Sequence, residues 1–276
     1  MTSTRAFNYY SSIARDCWTG TRPCVRRAAR RAVSAARIPS ATANRTVTIA
    51  PGTESVVDTH RHAGMSAARR ALDPVAREAK RLGFVARSAF KLLEVDAKFG
   101  VLSRLPRDGA RVLDLGCAPG AWMQVVHKVA NRSTRVVGID LTAVDVEGLR
   151  GVDSARARTL ERDIREVSVD DVGGVHSFDV VLSDMMASTT GIASVDATAS
   201  LDLAECAFAL SLGDNAREGA LKLDGSLVVK IFEGGGSVEE LTAASKGRFE
   251  KVSFFKPKAT RSESKEIYLV CRKRRT

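Results

Sequence analysis

Four ionisable residues lie in apolar stretches of this sequence, where an unpaired charge is costly. They are Lys91 in S-A-F-K-L-L, Asp184 in V-V-L-S-D-M, Lys230 in L-V-V-K-I-F and Glu266 in S-K-E-I-Y-L-V. A lysine at the end of a buried strand is unfavourable unless it is paired with an acid or used in a reaction. Lys230 is therefore the most informative of the four. One alternative stays open, since a lysine on an edge strand can point into solvent.

A second stretch, R-V-L-D-L-G-C-A-P-G-A-W at 111–122, predicts a ligand-binding loop. Its alternating apolar run is followed by Gly116, Pro119 and Gly120, and then by apolar residues at helical spacing that begin with Trp122. This is the pattern of a strand, a tight loop and a helix. Glycines let the backbone approach a ligand closely, and open α/β sheets bind ligands at the carboxyl ends of their strands.

The composition of this loop also bears on the kind of ligand. Its spacing, G-x-x-x-G, differs from the dinucleotide fingerprint G-x-G-x-x-G, so nothing here requires a dinucleotide. Asp114 inside the motif argues against a phosphate and for a cationic or amine-bearing ligand. S-adenosylmethionine fits that description.

Two further acids follow the next two strand-like segments. Asp140 ends the strand in V-V-G-I-D-L, 20 residues after Gly120, where an acid can accept hydrogen bonds from both hydroxyls of an adenosine ribose. Asp163 follows in L-E-R-D-I, where a carboxylate could meet the adenine amino group. Each could instead cap the next helix. Acids in register after consecutive strands, together with Asp114, favour a cofactor site.

The order of the predicted elements gives the fold class. Strands are predicted at 111–115, 135–140, 157–160, 178–183, 226–231, 249–255 and 266–271, and helices at 75–82, 87–99, 122–129 and 201–212. Helical patterns between the first five strands predict a parallel, doubly wound α/β sheet. The last two strands are joined only by a loop and predict an antiparallel hairpin at the sheet edge. The result is a Rossmann-like, seven-stranded, mostly parallel sheet with one antiparallel edge strand, which is usual among S-adenosylmethionine-dependent methyltransferases.

The basic character of the chain is concentrated near its N-terminus. Residues 1–75 contain twelve arginines, no lysine and four acids, a net charge of +8 out of +11 for all 276 residues. An arginine-rich, acid-poor segment without an apolar pattern is typical of an organelle transit peptide. We therefore expect a transit peptide and disordered leader over 1–65 and one domain over 66–276. The composition favours the mitochondrion over the chloroplast, and a basic tail that acts in place is the alternative.

Other classes of protein are disfavoured by what the sequence lacks. It has no run of 18 apolar residues, so no membrane span is expected. Its cysteines are odd in number and scattered, which predicts reduced thiols rather than a disulfide framework. They are Cys17, Cys24, Cys117, Cys206 and Cys271. His60 and His62 form an H-x-H pair without further ligands, so no metal is expected.

Several blocks of the sequence occur together in one known family. They are D-P-V-A-R-E-A-K-R-L-G-F, R-S-A-F-K-L-L-E, D-L-G-C-A-P-G-A-W, S-D-M-M-A-S-T-T-G, L-V-V-K-I-F-E-G-G and K-P-K-A-T-R-S-E-S-K-E-I-Y-L-V. Over 72–272 the sequence thereby resembles the FtsJ-type ribosomal RNA 2′-O-methyltransferases, the ribosomal RNA large subunit methyltransferase E family. The resemblance implies a catalytic tetrad of Lys91, Asp184, Lys230 and Glu266. It also implies an S-adenosylmethionine site at Gly116, Trp122, Asp140, Asp163 and Asp184.

The reaction implied by the resemblance gives each member of the tetrad a role. A ribose 2′-hydroxyl is a poor nucleophile near neutral pH, so an enzyme must remove its proton and align an in-line attack. A lysine acts as a base only when its pKa is lowered, which burial and a neighbouring cation achieve. Lys230 is the expected base and Lys91 the second cation. Asp184 is expected to orient the base and the methyl donor, and Glu266 to position Lys91 or the ribose.

The expected substrate is a uridine of organellar large-subunit ribosomal RNA, free or in a pre-ribosomal subunit. Residues 76–98 carry a net charge of +3 and 256–276 carry +6, whereas 99–255 carry −6. Phosphate contacts from such segments give salt-dependent affinity with little sequence reading. A transfer RNA 2′-O-methyltransferase and a non-catalytic RNA-binding ribosome-assembly factor stay open as alternatives. A nicotinamide oxidoreductase is disfavoured by the missing fingerprint, and a monomer is expected because nothing implies an oligomer.

Overall fold

The computed structural model describes residues 73–187, 190–213, 217–233 and 238–275. The leader expected at 1–65, and the first residues of the expected domain at 66–72, lie outside these ranges. Within them the chain forms one sheet of seven strands with helices on both faces.

The sheet has the topology predicted for its parallel part. Its strands are β1 (Arg111–Leu115), β2 (Arg135–Asp140), β3 (Ala157–Glu161), β4 (Phe178–Ser183), β5 (Leu221–Phe232), β6 (Phe249–Phe255) and β7 (Glu266–Arg274), in the spatial order β3-β2-β1-β4-β5-β7-β6. β1 to β5 are mutually parallel, whereas β7 is antiparallel to both β5 and β6. The predicted hairpin at the sheet edge is confirmed. Its reversed strand, β7, is the inner member, so β6 rather than β7 forms the edge.

The helices connect these strands and bury apolar residues against both faces. They are α1 (Pro74–Arg81), α2 (Ser88–Phe99), α3 (Ala121–Val129), α4 (Val169–Val172), α5 (Ala193–Leu212) and α6 (Val238–Arg248). One core holds α2 and α3 residues such as Phe90 and Met123, and the other holds α5 residues such as Ala207. In the described part of the chain, no helix is both long and apolar enough to cross a membrane.

The start of α1 shows how local sequence fixes an element that supports the site. Asp73 accepts hydrogen bonds from the main-chain N–H groups of Val75 and Ala76 at 3.0 and 3.1 Å, and Pro74 occupies the first helical position. Aspartate is a favoured N-cap residue, and proline suits the first helical position because its nitrogen needs no hydrogen-bond partner there. α1 ends at Arg81, and Gly83 follows with a φ of +82°.

β5 is longer than predicted. It spans 221–232 instead of 226–231, and Gly225 lies inside the strand. The register between β4 and β5 shifts between Phe178 and Val180, and Asp224 has a φ of +63°. The turn-forming residues are therefore accommodated in an irregularity of the strand, which bends it without ending it.

Candidate active site

The four ionisable residues from apolar segments meet at the carboxyl ends of the parallel strands. Asp184 directly follows β4, Lys230 lies near the end of β5, and Glu266 is the first residue of β7. Because β7 runs in the opposite direction, its start lies beside the carboxyl end of β5, where Phe232 pairs with Glu266. Lys91 reaches the same ends of the strands from the first turn of α2.

Each lysine of this tetrad contacts a carboxylate. The Nζ atom of Lys91 lies 2.5 Å from Oε1 of Glu266. The Nζ atom of Lys230 lies 3.2 Å from Oδ1 of Asp184 and donates a hydrogen bond to the Asp184 main-chain oxygen at 2.8 Å. With both pairs ionised the tetrad is electrically neutral, which makes its burial tolerable.

Burial decides between the two interpretations of Lys230. The residue is 5% exposed, and its strand lies between β4 and β7 in the interior of the sheet. The alternative of an edge-strand lysine that points into solvent is therefore wrong. Lys230 is instead a buried lysine that contacts one carboxylate, Asp184.

Tyr268 is a site residue that the sequence reasoning missed. Its hydroxyl donates a hydrogen bond to Oδ1 of Asp184 at 2.7 Å, and its ring is fully buried. The Trp122 ring lies against it, with centroids 5.9 Å apart. The available signal was its position two residues after Glu266, because alternate residues of a strand face the same side of the sheet.

The charge of Asp184 is stabilised by its neighbours. Burial acts to raise the pKa of Asp184, but the nearby charges of Lys230 and Lys91 and the hydrogen bonds from Tyr268 and Lys230 outweigh it and lower that pKa. Burial and the charges of Asp184 and Glu266 raise the pKa of Tyr268 well above its ordinary value. The tyrosine is therefore a fixed neutral donor to an ionised carboxylate.

The tetrad lines a cavity of about 550 Å³, large enough for a nucleoside-sized ligand. The lining residues are Arg87, Lys91, Gly116, Ala118, Asp140, Asp184, Met185, Met186, Lys230, Phe232, Ala259, Arg261, Ser264 and Glu266. The cavity therefore joins the glycine loop after β1 to the tetrad, and it includes Asp140 at the end of β2. Arg87, Met185, Met186 and Arg261 were not predicted as site residues.

The β1–α3 loop fits an adenosyl ligand. Gly116 has a φ of +78°, and a β-carbon there would lie 2.8 Å from the main chain of Met185, so only glycine keeps this wall open. Asp140 accepts hydrogen bonds at 2.9 Å from the main-chain N–H groups of Ala118 and Thr142. Its carboxylate is thereby held at the cavity wall, where an acceptor for ribose hydroxyls was predicted.

Three predicted cofactor residues shape the site without lining it. Asp114 is fully buried in β1, and neither of its carboxylate oxygens has a hydrogen-bond partner among the described residues. Trp122 is buried and donates a hydrogen bond from Nε1 to the main-chain oxygen of Ser88 at 2.9 Å, which ties α3 to α2. Gly120, with a φ of +102°, lies against Leu149, which leaves no room for a side chain.

The other two predicted cofactor residues also lie away from the cavity lining found among the described residues. Pro119 is exposed and follows a cis peptide bond. Asp163 accepts a hydrogen bond from the main-chain N–H of Arg165 at 3.0 Å and forms an ion pair with that side chain, also at 3.0 Å. The alternative of a helix cap therefore describes its observed contacts. A direct contact of either residue with a cofactor stays a prediction.

A second carboxylate organises the basic rim of the cavity. Asp73, the cap of α1, forms an ion pair with Arg87 and lies 3.6 Å from Arg261. Arg87 also donates a hydrogen bond to the main-chain oxygen of Ala259 at 2.5 Å. The cap of α1 thus contacts two guanidinium groups, and both arginines line the cavity.

Fold and site together define a class of protein: an α/β methyltransferase that uses S-adenosylmethionine. The FtsJ-like methyltransferase family matches residues 84–274, and this chain belongs to it. A protein named ribosomal RNA large subunit methyltransferase E from Desulfatibacillum aliphaticivorans is 40% identical over 196 residues, 70% of this chain and 86% of its own. One of the same name from Bdellovibrio bacteriovorus is 40% identical over 198 residues, 70% of this chain and 92% of its own.

Among solved structures, an rRNA methylase from Streptococcus thermophilus superposes with a TM-score of 0.42 at 11% sequence identity. The match covers 65% of this chain and 95% of that one.

Proposed function

We propose that this methyltransferase modifies the ribose 2′-hydroxyl of a uridine in the large-subunit ribosomal RNA of an organelle. The observation that carries the proposal is the contact between buried Lys230 and Asp184 in a cavity that also holds Asp140. A base beside an adenosyl site suits a nucleophile that must lose a proton before it can attack. The two relatives described above are named as ribosomal RNA large subunit methyltransferases, which supports this substrate class.

The residues divide the work of the reaction among them. S-adenosylmethionine, when bound, supplies an activated methyl group. After losing its own proton, Lys230 accepts the proton of the ribose hydroxyl, and Asp184 stabilises the ammonium that results. Lys91, paired with Glu266, is the second cation of the site, and its charge helps to keep Asp184 ionised. Tyr268 holds Asp184 in place through the hydrogen bond that its hydroxyl donates.

Transfer of labelled methyl from S-adenosylmethionine tests this proposal directly. The full chain and its Lys230→Ala variant are incubated with unmodified organellar large-subunit ribosomal RNA, with assembled subunits and with transfer RNA. We expect label on a uridine ribose of the ribosomal RNA with the wild type, and a loss of about a hundredfold to ten-thousandfold with the variant, because its base is missing. Label on transfer RNA alone, or near-normal turnover by the variant, contradicts the proposal.

The proposed location rests on composition alone. Residues 1–75 hold twelve arginines and no lysine, which favours mitochondrial import. A fluorescent protein fused after residue 75 is expected to enter mitochondria. A version with eight of these arginines changed to glutamine is the control, and it is expected to stay outside. Plastid delivery, or delivery that is independent of the arginines, contradicts this assignment.

A further inference from the structure

The far end of α2 carries a second group of cations, distinct from the tetrad. Lys98 lies in the last turn of α2, and Arg104 lies in the segment that follows it. Lys251 of β6 and Arg272 of β7 face each other in the register of the edge hairpin. We call these four residues the α2–β6 cation cluster.

Two phenylalanine rings hold part of this cluster in place. The Nζ atom of Lys98 lies 4.6 Å from the ring centre of Phe255 and 5.3 Å from that of Phe99. The guanidinium group of Arg272 lies 5.2 Å from the ring centre of Phe99. The two rings are themselves in edge-to-face contact, 5.6 Å apart. Contacts of this kind orient a cation and leave it able to bind an anion, since a ring supplies no counter-charge.

Two acids lie near the cluster, because the charge of Arg104 acts against the burial that raises the pKa of Asp96, and the charge of Lys251 helps to lower the pKa of Glu250 after the hydrogen bond from Lys273. None of its four members forms an ion pair with a carboxylate in the described ranges, while the nearby acid Glu250 binds Lys273 at 3.0 Å. Burial, and then the charge of Arg104, lowers the pKa of Arg272, while the charge of Glu250 acts to raise it. Four cations with two nearby acids, neither of which forms an ion pair with them among the described residues, leave a net positive charge that attracts anions.

The cluster continues from the active site along one side of the domain. Lys98 lies seven residues after Lys91 on α2, which places it about 10 Å along the helix axis. Phe255, whose ring contacts Lys98 of the cluster, pairs in register with Tyr268. The hydroxyl of Tyr268 in turn contacts Asp184 in the tetrad. A polymer whose reacting ribose occupies the cavity can therefore lie over the cluster without leaving the domain surface.

We propose that the α2–β6 cation cluster binds phosphates of the RNA substrate beyond the target nucleotide. The inference rests on the proposed function and adds to it a second contact region, outside the cavity, that fixes how the RNA crosses the domain. Ring-supported cations that form no ion pair with an acid of the described ranges suit a backbone of repeated negative charges. Such contacts position the RNA and carry no base specificity.

The test uses the full chain with Lys98→Gln and Lys251→Gln combined. Both lysines are exposed, and glutamine keeps much of each aliphatic stem. The matched control combines Arg135→Gln and Arg158→Gln, which removes the same charge from β2 and β3 at the opposite side of the sheet. Affinity for a large-subunit ribosomal RNA fragment is measured over a range of salt concentrations, together with methyl transfer and cofactor binding.

We expect the cluster variant to bind RNA about tenfold more weakly at low salt, and its salt dependence to become shallower by about two phosphate contacts. KM for RNA should rise, while kcat and cofactor affinity stay at the wild-type values. The control should bind as the wild type does. A cluster variant with unchanged RNA affinity and salt slope overturns the inference and points to an acidic protein partner. Equal losses in both variants overturn it too, because net charge alone then explains the binding.

Failure of the proposed function gives a different result. If the wild type binds S-adenosylmethionine but neither binds nor methylates RNA, the proposed function and this inference both fall. If the wild type methylates RNA and the cluster variant does so with the same KM, only the inference falls.

Discussion

The hydroxyl of Tyr268 donates a hydrogen bond to Oδ1 of Asp184 at 2.7 Å, the same oxygen that lies 3.2 Å from Nζ of Lys230. One carboxylate oxygen thus joins the neutral donor to the expected base. Since Tyr268 is fully buried behind Asp184, it acts by positioning that residue and not by touching substrate.

Tyr268→Phe should lower kcat by about tenfold, because hydrogen bonds to charged groups contribute about 1.5–3 kcal/mol. The ring and its contact with Trp122 remain, so the free energy of unfolding should change far less than in Tyr268→Ala. Loss of the hydroxyl should also raise the pKa of Asp184, since that hydrogen bond lowers it. The acidic limb of the kcat profile should therefore move to higher pH. A profile at its wild-type position would show that the hydroxyl does not act through Asp184.

The pair formed by Lys91 and Glu266 can be tested with a double-mutant cycle. Glu266→Gln leaves a half-buried lysine without its carboxylate and should destabilise the fold by about 3 kcal/mol, the usual cost of breaking a buried pair. Lys91→Met should cost a similar amount. The combined variant should recover part of the loss, because no unpaired charge is left. Urea unfolding measures all three, and strictly additive losses would exclude a direct interaction.

The sequence predicts which residues form the site better than it predicts their contacts. Lys91, Asp184, Lys230 and Glu266 were identifiable because each is a charge in an apolar segment, and that signal is local. The parallel direction of the first five strands followed from the alternation of strands and helices, and the hairpin followed from the short connection between the last two strands. By contrast, Tyr268 looks like any apolar strand residue, and its partner is 84 positions away.

The predicted cofactor residues divide into two groups that the local sequence does not distinguish. Gly116 and Asp140 line the cavity, whereas Asp114 and Trp122 support it from behind. Asp114, Gly116 and Trp122 belong to one strand–loop–helix region, and Asp140 ends the neighbouring strand, so sequence position alone does not separate the two groups. What separates them is whether each residue faces the cavity or the packed interior, which depends on packing against α2 and on the neighbouring strands.

Asp114 and Asp140 should respond differently to removal of their charge. Asp140→Asn should weaken S-adenosylmethionine binding by about tenfold or more, because its carboxylate reaches the cavity wall. Asp114→Asn should change that affinity much less. Calorimetric titration with the cofactor compares the two variants, and an equal loss in both would place Asp114 in direct contact with the ligand.

Asp114 should also make stability depend on pH. Burial, and then the charges of Asp184 and Asp140, raises the pKa of Asp114 well above its ordinary value. The folded state therefore holds this proton more tightly than the unfolded chain does. The contribution of Asp114 is fully present below the unfolded pKa, about 3.9, and is lost as pH rises toward the folded pKa.

The Asp114→Asn variant has no ionisable side chain at this position. Its free energy of unfolding should therefore depend less on pH above about 4, and it should exceed that of the wild type near neutrality. Urea unfolding at a series of pH values measures the difference. A wild type and variant with parallel stability curves would refute the assignment.

Glu94 should control the loop that carries the basic rim. Its Oε2 accepts a hydrogen bond from the main-chain N–H of Lys258 at 2.7 Å, its Oε1 accepts one from Ala259 at 2.9 Å, and the residue is 2% exposed. The segment it holds leads directly to Arg261 and Ser264 in the cavity lining. One buried carboxylate on α2 therefore fixes the substrate side of the site from a position 164 residues earlier in the chain.

Glu94→Gln replaces one of these acceptors with a donor and leaves a main-chain N–H without a partner, which costs about 1–3 kcal/mol. We expect a loss of stability in that range and a rise in KM for RNA. Cofactor affinity should stay constant, because Gly116 and Asp140 lie on other elements. Glu147→Gln, at an exposed glutamate, is the matched control and should change neither quantity. A Glu94→Gln variant with lowered stability but a wild-type KM for RNA would contradict this role. The loop would then reach its working position without the hydrogen bonds to Glu94, and Glu94 would contribute to stability alone.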